Sequence, residues 1–399
     1  MIPQSIGIFT YSTRPRGSVV HACCLAESLA ERGHDVTLYA LSKAGDELYR
    51  ELGCPVVLLP AEPAPADAEQ LIRQRIAEVV CGLQRVRPQH DVYHAEDCLV
   101  ASGLLDARAV LEGGSIVRTL HHLEHFSSAY LQACQARSIL QADGVACVSR
   151  VSQRDVERAL GRRCPIIGNG VDVSRFARRA PQTEEALRRR WAGEPGELVV
   201  LSVGGVEPRK NSLIALFGMV EVLRREPRAR WVIAGGSSIW EHDAYRRQFA
   251  EELARLPEAL RHRIVELGPV DEEELTALYR LSQVLLCASL QEGFGLCVLE
   301  ALASGASAVV SRCEPFTEYL DDSCASFVEP ASPTQIGSAV GELLQQPALR
   351  AKRAVAGLAR ARRYSWQRVA LEHERLYAEL DRGAPLAWRS PSSQEPSYA

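Results

Sequence analysis

The chain has 399 residues, of which 46% are hydrophobic and 24% are charged, and its formal net charge is −4. This length exceeds one ordinary hydrophobic core and suits two domains of about 150 to 200 residues each. The small negative charge argues against a nucleic-acid partner, and without a run of about 18 uninterrupted apolar residues no membrane-spanning helix is predicted.

Strand and helix patterns alternate through the first half of the chain. Residues 5–11 predict a strand, residues 21–32 a helix that ends at Gly33, and residues 35–41 a second strand, which together form one βαβ unit. Further strands are predicted at residues 56–59, 91–94, 115–121, 144–149 and 165–168. The first loop contains Gly17 but no G-x-G-x-x-G fingerprint, which disfavours an NAD-dependent dehydrogenase.

Polar residues follow two of these strands. His94, Glu96 and Asp97 stand where open α/β sheets place their ligands. They either contact an acceptor substrate or are solvated loop residues. His121, His122 and His125 are closely spaced, but without a set of carboxylates or cysteines nearby they match no common zinc pattern. No metal and no cofactor are predicted.

The twelve cysteines form no C-x2-C pairs, and several lie in apolar runs. Free thiols of this kind favour a reducing cytoplasm. The N-terminal residues enter a strand at once, without the charged and apolar regions of a signal peptide, so a cytoplasmic location is predicted.

The alternation resumes at a predicted strand over residues 198–203, followed by a glycine turn and Lys210. A lysine between a glycine turn and a helix suits a diphosphate, because its compact charge lies near free helix N–H groups. The neighbouring Arg209 is either a second phosphate contact or a solvated charge. Strands are also predicted at residues 230–234, 263–268, 284–287, 307–311 and 325–329, and Asp271 is predicted to cap a helix.

Residues 285–304, LLCASLQEGFGLCVLEALAS, combine a buried strand, a polar turn and an apolar helix. The glycines of the turn let backbone N–H groups approach a ligand at the helix start, where an anion is favoured. Glu292 lies in the turn and Glu300 two turns deeper. The pattern therefore predicts one carboxylate at a reacting centre and one that binds sugar hydroxyls, against the alternative of two solvated glutamates.

This segment resembles the signature of retaining glycosyltransferases with the GT-B fold, the family that includes sucrose synthase-like and phosphatidylinositol mannosyltransferase-like enzymes. The resemblance covers residues 5–381 and is strongest at 285–304 and 198–211. It implies an α/β protein with two Rossmann-like domains facing across a cleft. The expected divisions are an acceptor-side domain (1–175), a nucleotide-sugar domain (176–364), a helix returning to the first domain (365–382) and a disordered tail (383–399).

The resemblance also implies roles for individual residues. Glu292 would contact the transferred sugar, Lys210 would bind the diphosphate, and His121 would hydrogen-bond the sugar or help to hold the donor. The expected donor-binding residues are Gly17, Gly205, Arg209, Lys210, Gly235, Val270, Gly293, Phe294, Gly295, Leu296 and Glu300.

Two positions depart from the family pattern. Gly205 stands where relatives carry a phosphate-binding arginine, and Arg16 stands where they carry the first glycine of the N-terminal loop.

The implied activity is metal-independent sugar transfer, with retention, from a nucleotide diphosphate sugar to a glycan, lipid or small-molecule acceptor. A nucleotide-sugar epimerase on the same fold is the alternative within enzymes. A nucleotide- or sugar-binding protein without catalysis is the alternative outside them, and the missing arginine at Gly205 favours it. Arg14, Arg16 and the basic residues of 73–75 either contact anionic lipid weakly or are solvated.

Overall fold

Two compact units make up the protein in this computed structural model, which describes residues 2–43, 45–65, 67–126, 128–177, 180–190, 193, 196–236 and 243–381. The first unit comprises the chain up to Gly170 together with the helix that starts at Trp366. The second unit comprises Val171–Ser365. The tail predicted at 383–399 lies outside the described residues.

The first unit is built on a parallel six-stranded sheet with the strand order β3-β2-β1-β4-β5-β6. Its elements up to Gly170 are, in chain order, β1 (Ser5–Thr10), α1 (Gly17–Glu31), β2 (Asp35–Lys43), β3 (Val56–Ala61), α2 (Ala68–Val86), β4 (Val92–Ala95), α3 (Cys98–Asp106), a 3-10 turn (Arg108–Val110), β5 (Ser115–Leu120), α4 (Ala129–Leu140), β6 (Gly144–Cys147) and α5 (Arg150–Leu160).

The second unit repeats the same arrangement with the strand order β12-β11-β10-β7-β8-β9. Its elements are α6 (Val173–Ala177), α7 (Pro181–Arg190), β7 (Leu198–Val203), α8 (Ser212–Arg225), β8 (Ala229–Ala234), α9 (Asp243–Ala254), α10 (Glu258–Arg261), β9 (Ile264–Gly268), α11 (Glu272–Leu281), β10 (Ser282–Cys287), α12 (Leu296–Ala303), β11 (Ser307–Ser311), α13 (Phe316–Tyr319), β12 (Ala325–Val328), α14 (Pro333–Gln345) and α15 (Pro347–Ala361).

The predicted α/β architecture is confirmed, and twelve of its strands are present. The strand predicted at 165–168 is wrong, because that segment makes one isolated bridge, between Ile166 and Cys147. The first helix begins at Gly17, four residues before its predicted start, so His21 lies inside the helix. The Asp271 cap is confirmed, since its side chain accepts from the Glu274 backbone and Glu274 caps in return.

The final helix, α16 (Trp366–Asp381), packs against α1, β5 and β6 of the first unit. Leu376 and Tyr377 are buried among the apolar residues of this unit. Arg32 donates two hydrogen bonds to the carboxylate of Glu374, at 2.5 and 2.8 Å, and His34 lies 3.0 Å from the same carboxylate. A paired arginine and apolar burial together hold the end of the chain on the first unit.

The strand order reverses once in each sheet, between β1 and β4 in the first and between β7 and β10 in the second. Loops that leave such a switch point diverge, and open α/β sheets bind ligands in the resulting crevice at the carboxyl ends of the strands. Gly17 follows β1, Glu96 follows β4, Lys210 follows β7 and Glu292 follows β10. Each sheet therefore places two candidate functional segments beside its own switch point.

Among the described helices, none has both the length and the apolar composition that crossing a bilayer requires. Arg75, one of the basic residues considered for lipid contact, is buried against Glu78 and the backbone of Glu62. That part of the lipid-contact alternative is wrong. Arg73 is exposed and pairs with Glu69.

Candidate active site

The glycine turn after β7 has no room for side chains. Gly204 and Gly205 have φ angles of +117° and +75°, which L-residues rarely adopt. A Cβ on Gly205 would lie 2.6 Å from the carbonyl oxygen of Gly236, in the turn that follows β8. Gly235 fits equally tightly, because its Cβ would lie 2.8 Å from the Gly205 nitrogen. The family's arginine therefore cannot stand at Gly205 unless this crossing of two turns opens.

Lys210 and Glu292 form an ion pair that links the two loops at the switch point of the second sheet. The Lys210 side chain passes over Gly204, and its Nζ donates to Oε1 of Glu292 at 2.7 Å. Ser289 donates to the same oxygen at 2.8 Å, and Arg209 donates to the other oxygen at 2.9 Å. Glu292 is thus held by three donors, and the alternative of a solvated glutamate is wrong.

The charge state of Glu292 follows from these contacts. Its side chain is only 9% exposed, and burial by itself would raise the pKa of the carboxyl group. The positive charges of Lys210 and Arg209, helped by the hydrogen bonds, outweigh burial and lower the pKa of Glu292 to about 2. The second sheet therefore presents an ionised carboxylate between two cations at neutral pH.

Arg209 and Lys210 differ in their access to a ligand. The Arg209 side chain is 42% exposed, whereas that of Lys210 is 14% exposed. Arg209 also donates to the backbone carbonyl of Gln291, at 3.3 Å. Because a guanidinium has five N–H donors, Arg209 can keep these bonds and still offer donors to an anion.

The turn that carries Glu292 ends at a helix start without a side-chain cap. Gly295 is the N-cap of α12 with φ +91°, and a Cβ there would lie 2.5 Å from the Phe316 ring. Gly295 gives α12, which begins at Leu296, no side-chain cap. The Val298 N–H donates to the Gly295 carbonyl, and the N–H groups of Leu296 and Cys297 precede it at the helix start, where an anion is favoured. Phe294 stacks on Tyr319 with ring centroids 4.8 Å apart. Its side chain anchors the turn, which leaves its backbone and that of Gly293 for ligand contact.

Glu300 lies on α12 and has a different partner. Its carboxylate accepts a hydrogen bond from the Tyr279 hydroxyl at 2.6 Å. Burial raises the pKa of Glu300, and the pKa of Tyr279 is raised well above its usual range by burial as well. The two predicted glutamates of the signature are therefore held differently, Glu292 by cations and Glu300 by a phenol. Val270 is half-buried between β9 and the capping residue Asp271.

In the first unit, Gly17 opens α1 and stands in open space. The preceding residue, Arg16, gives no side-chain cap, and a Cβ on Gly17 would meet nothing within 4 Å. The start of this helix therefore offers uncapped N–H groups at the switch point of the first sheet.

His121 follows β5 directly and contacts two residues that were not linked to it from the sequence. Its Nε2 lies 2.9 Å from Oε2 of Glu96, which follows the neighbouring strand β4. Nδ1 of His21, on α1, lies 3.0 Å from the same carboxylate. Because β4 and β5 are neighbouring strands, a contact between the residues that follow them, Glu96 and His121, could have been predicted from the sequence. Nothing in the sequence indicated that His21 would join them.

The other polar residues of this region are satisfied inside the first unit. His94 is fully buried between the Thr119 hydroxyl, at 2.8 Å, and the Tyr377 hydroxyl, at 2.5 Å. Asp97 caps α3 by accepting from the Leu99 and Val100 backbones. Because His94 and Glu96 are both buried, the alternative of solvated loop residues is wrong for each of them.

The histidines that are close together in sequence do not converge in space. His122 is half-buried and pairs with Glu124. Within the described part of the chain, the group with metal-ligand spacing is instead His21, Glu96 and His121, whose donor atoms all lie within 4.8 Å of one another.

Comparison with known families and structures connects both units to sugar transfer. The family described as Glycosyltransferase Family 4 matches residues 15–175, and the family described as Glycosyl transferases group 1 matches residues 197–346. The first match includes β2 to β6 of the first sheet, and the second includes all six strands of the second sheet.

Similar curated proteins match nearly the whole chain. A D-inositol 3-phosphate glycosyltransferase of Acidothermus cellulolyticus is 28% identical over 387 residues, covering 88% of this chain and 82% of that protein. A phosphatidyl-myo-inositol mannosyltransferase of Mycobacterium tuberculosis is 28% identical over 379 residues, covering 91% and 93%.

Solved structures share the fold. HepE of Anabaena, crystallised with UDP and glucose, has a TM-score of 0.76 at 19% identity and covers 94% of this chain and 100% of its own. Sucrose-phosphate synthase of Thermosynechococcus elongatus has a TM-score of 0.77 at 20% identity and covers 96% and 100%.

Proposed function

This chain belongs to the family 4 glycosyltransferases with the GT-B fold, and on that premise we propose that it transfers a sugar from a nucleotide diphosphate sugar to a hydroxyl acceptor with retention of configuration. In the proposed reaction the bond between the anomeric carbon and the diphosphate breaks, and a bond from that carbon to the acceptor oxygen forms. The acceptor's proton passes to the departing diphosphate, which keeps atoms and charges in balance.

One observation carries this proposal: an ionised carboxylate, two cations and an uncapped helix start lie together at one switch point. Lys210, Arg209 and the start of α12 would stabilise the negative charge that develops on the leaving diphosphate. Glu292 would stabilise the positive charge that develops on the sugar. Preorganised charges of both signs suit a transition state that separates charge.

Arg209 bears on the alternative of a protein that binds nucleotide sugars without catalysis. That alternative was favoured by the missing arginine at Gly205. Since Arg209 brings a guanidinium to the same carboxylate as Lys210, we assign it the second phosphate contact. The proposed cation pair is thus complete, although one member comes from a different position of the loop.

The remaining roles are those that the family resemblance implies. Glu300, held by Tyr279, would accept hydrogen bonds from the ribose hydroxyls, and Val270 would contact the base through its backbone. Gly17, at the start of α1, would contact the donor phosphate. Gly235 lets the turn after β8 pack directly against Gly204 and Gly205, and this turn would approach the donor.

We further propose that the reaction needs no metal ion and takes place in a reducing compartment. The cation pair supplies the charge stabilisation that a divalent metal would otherwise give. All twelve cysteines lie within the described residues and none of them forms a disulfide, which supports the reducing compartment. Activity should therefore survive EDTA.

The test is a panel of nucleotide diphosphate sugars incubated with and without acceptors. The relatives' names make inositol phosphates and phosphatidylinositol the first acceptors to try. Transferase activity predicts acceptor-dependent nucleotide release and a product whose anomeric configuration, read by NMR, matches the donor. A changed sugar with free nucleotide and no transfer would support the epimerase alternative. Nucleotide binding without turnover on any acceptor would support the non-catalytic alternative.

A further inference from the structure

Glu96 is a buried carboxylate whose short contacts are both imidazoles. It is 1% exposed, and its oxygens lie 3.0 Å from His21 Nδ1 and 2.9 Å from His121 Nε2. Burial would raise the pKa of Glu96, but its interactions with His21 and His121 lower that pKa far below the usual range. The carboxylate is therefore ionised, and an ionised carboxylate can only accept hydrogen bonds.

The protons in both contacts must consequently lie on the histidines. Burial lowers the pKa of His121 despite the opposing effect of Glu96, so the imidazole is neutral at neutral pH. A neutral imidazole carries one proton and has a bare acceptor on its other nitrogen. With the proton of His121 on Nε2, facing Glu96, its Nδ1 is that acceptor.

We propose that Glu96 is a positioning residue that locks His121 in the Nε2–H tautomer, so that Nδ1 of His121 accepts a hydrogen bond from a substrate hydroxyl. This inference rests on the proposed function and on the sugar contact that the family resemblance implies for His121. His121 is 15% exposed while Glu96 is enclosed, so His121 can reach a ligand and Glu96 acts through it.

The tautomer decides between two roles that the sequence left open for His121. Phosphate oxygens are acceptors, and a bare Nδ1 has no proton to offer them. A sugar or acceptor hydroxyl can donate to Nδ1 and is the group this nitrogen fits. His121 therefore contacts a hydroxyl rather than holding the diphosphate.

A metal ion held by His21, Glu96 and His121 is the rival explanation of the same geometry. A metal-bound histidine normally donates its second ring N–H to a partner. Nε2 of His21 is buried, and none of the residues that the structure describes hydrogen-bonds to it. If His21 carries its proton on Nδ1, its Nε2 is unprotonated. Leaving an unprotonated ring nitrogen without a partner costs less than leaving a buried N–H donor without one. The hydrogen-bonded arrangement therefore accounts for His21 better than a metal does.

The direct test is the ¹⁵N NMR spectrum of histidine-labelled full-length protein, with the His121 signals assigned from their loss in His121→Gln. We expect a protonated Nε2 and an unprotonated Nδ1. An imidazolium, or a protonated Nδ1, would overturn the proposal. This readout needs no substrate, so it stands apart from the transferase assay: a correct tautomer without turnover would sink the proposed function alone.

Glu96→Gln tests the link between the two residues. A carboxamide has one acceptor atom and one donor atom, so it cannot accept from both imidazoles. The variant should shift the His121 tautomer equilibrium and lower kcat by about 10- to 100-fold, the range for losing a hydrogen bond to a charged group. Glu124→Gln is the matched control, because Glu124 pairs with a different histidine, His122, and it should change neither measurement.

Two results of the variant experiments would overturn the proposal. One is a Glu96→Gln protein with unchanged tautomer and kcat. The other is stoichiometric Zn²⁺ binding to the wild type at submicromolar affinity that is lost in Glu96→Gln, which would establish the metal site instead. If Glu96→Gln fails to fold, the wild-type tautomer and the zinc titration still decide.

Discussion

Lys210 Nζ lies 2.7 Å from Oε1 of Glu292, and the two residues are 82 positions apart in the chain. The pair joins the loops after β7 and β10, the two central strands of the second sheet. Arg209 donates a hydrogen bond to the other carboxylate oxygen of Glu292. A nucleotide diphosphate entering here would share these cations with Glu292, so charge is already organised before the donor binds.

Glu292→Gln should reduce turnover by at least about 100-fold, the usual range for losing a preorganised charge at the reacting centre. Nucleotide diphosphate affinity should stay within a few-fold, because Lys210 and Arg209 remain. Steady-state kinetics and calorimetry measure the two quantities. Near-normal turnover in this variant would refute the site assignment, and Glu342→Gln, on α14, serves as a control.

Arg209→Ala should weaken nucleotide diphosphate binding by about tenfold, because one charge-assisted hydrogen bond contributes roughly 1.5 to 3 kcal/mol. Lys210→Ala should weaken it at least as much and also lower kcat. The comparison is with Arg228→Ala, an exposed arginine that pairs with Glu226. Equal affinities for the Arg209 and Arg228 variants would show that Arg209 does not replace the family's arginine.

Glu300→Ala should weaken nucleotide binding by about tenfold, because the ribose hydroxyls lose their acceptor. Nucleotides that lack the ribose hydroxyls test directly whether Glu300 binds these hydroxyls. Wild type should bind a 2′,3′-dideoxy nucleoside diphosphate more weakly than the ribose form, whereas Glu300→Ala should bind both alike. If the variant still discriminates between them, the ribose contact lies elsewhere. Tyr279→Phe should show a smaller loss, since the carboxylate remains but loses its donor.

Gly205→Arg, which introduces the family's arginine, should destabilise the protein by at least about 1 to 3 kcal/mol, the usual cost of one unfavourable backbone conformation. The φ of +75° and the nearby Gly236 carbonyl both oppose a side chain. Thermal or urea unfolding measures the loss. Gly341→Ala, at a helical glycine with open space around it, should be neutral or mildly stabilising. A stable Gly205→Arg protein would mean that the turns after β7 and β8 can separate at little cost.

The first unit should lose stability as the pH falls from about 6.5 to about 4. Burial lowers the pKa of His94 to about 4, and Glu96, His21, His373 and Tyr377 are the groups around it. Between these pH values the unfolded chain binds more protons than the folded one, so acid favours unfolding. His94 by itself contributes roughly 3 kcal/mol to this dependence at most.

Urea unfolding at pH 7 and at pH 5 measures this dependence. His94→Gln should reduce this dependence without abolishing it, because the pKa values of His121 and His373 are lowered by burial as well. A substitution of His262, which is exposed, should leave the dependence unchanged. A wild-type stability that does not decrease over this range would contradict the assigned neutral, buried His94.

Much of the architecture could be predicted because it depends on local patterns. Apolar runs and glycine breaks placed β7 and β11 to the residue, and Asp271 marked a helix start through a side chain that caps a neighbouring N–H group. The failures were local as well. Residues 165–168 are apolar enough for a strand, but they join β6 through a single bridge, between Ile166 and Cys147.

The sequence by itself determined the alternation of strands and helices, the glycine turns and the signature that carries Glu292 and Glu300, because neighbouring residues decide periodicity, capping and turn geometry. The tertiary structure decided which side chains meet. Glu96 and His121 are 25 residues apart, Glu96 and His21 are 75 apart, and strand order alone brings them together. The reason that Gly205 has no side chain is likewise a carbonyl of another turn, which no local pattern reveals.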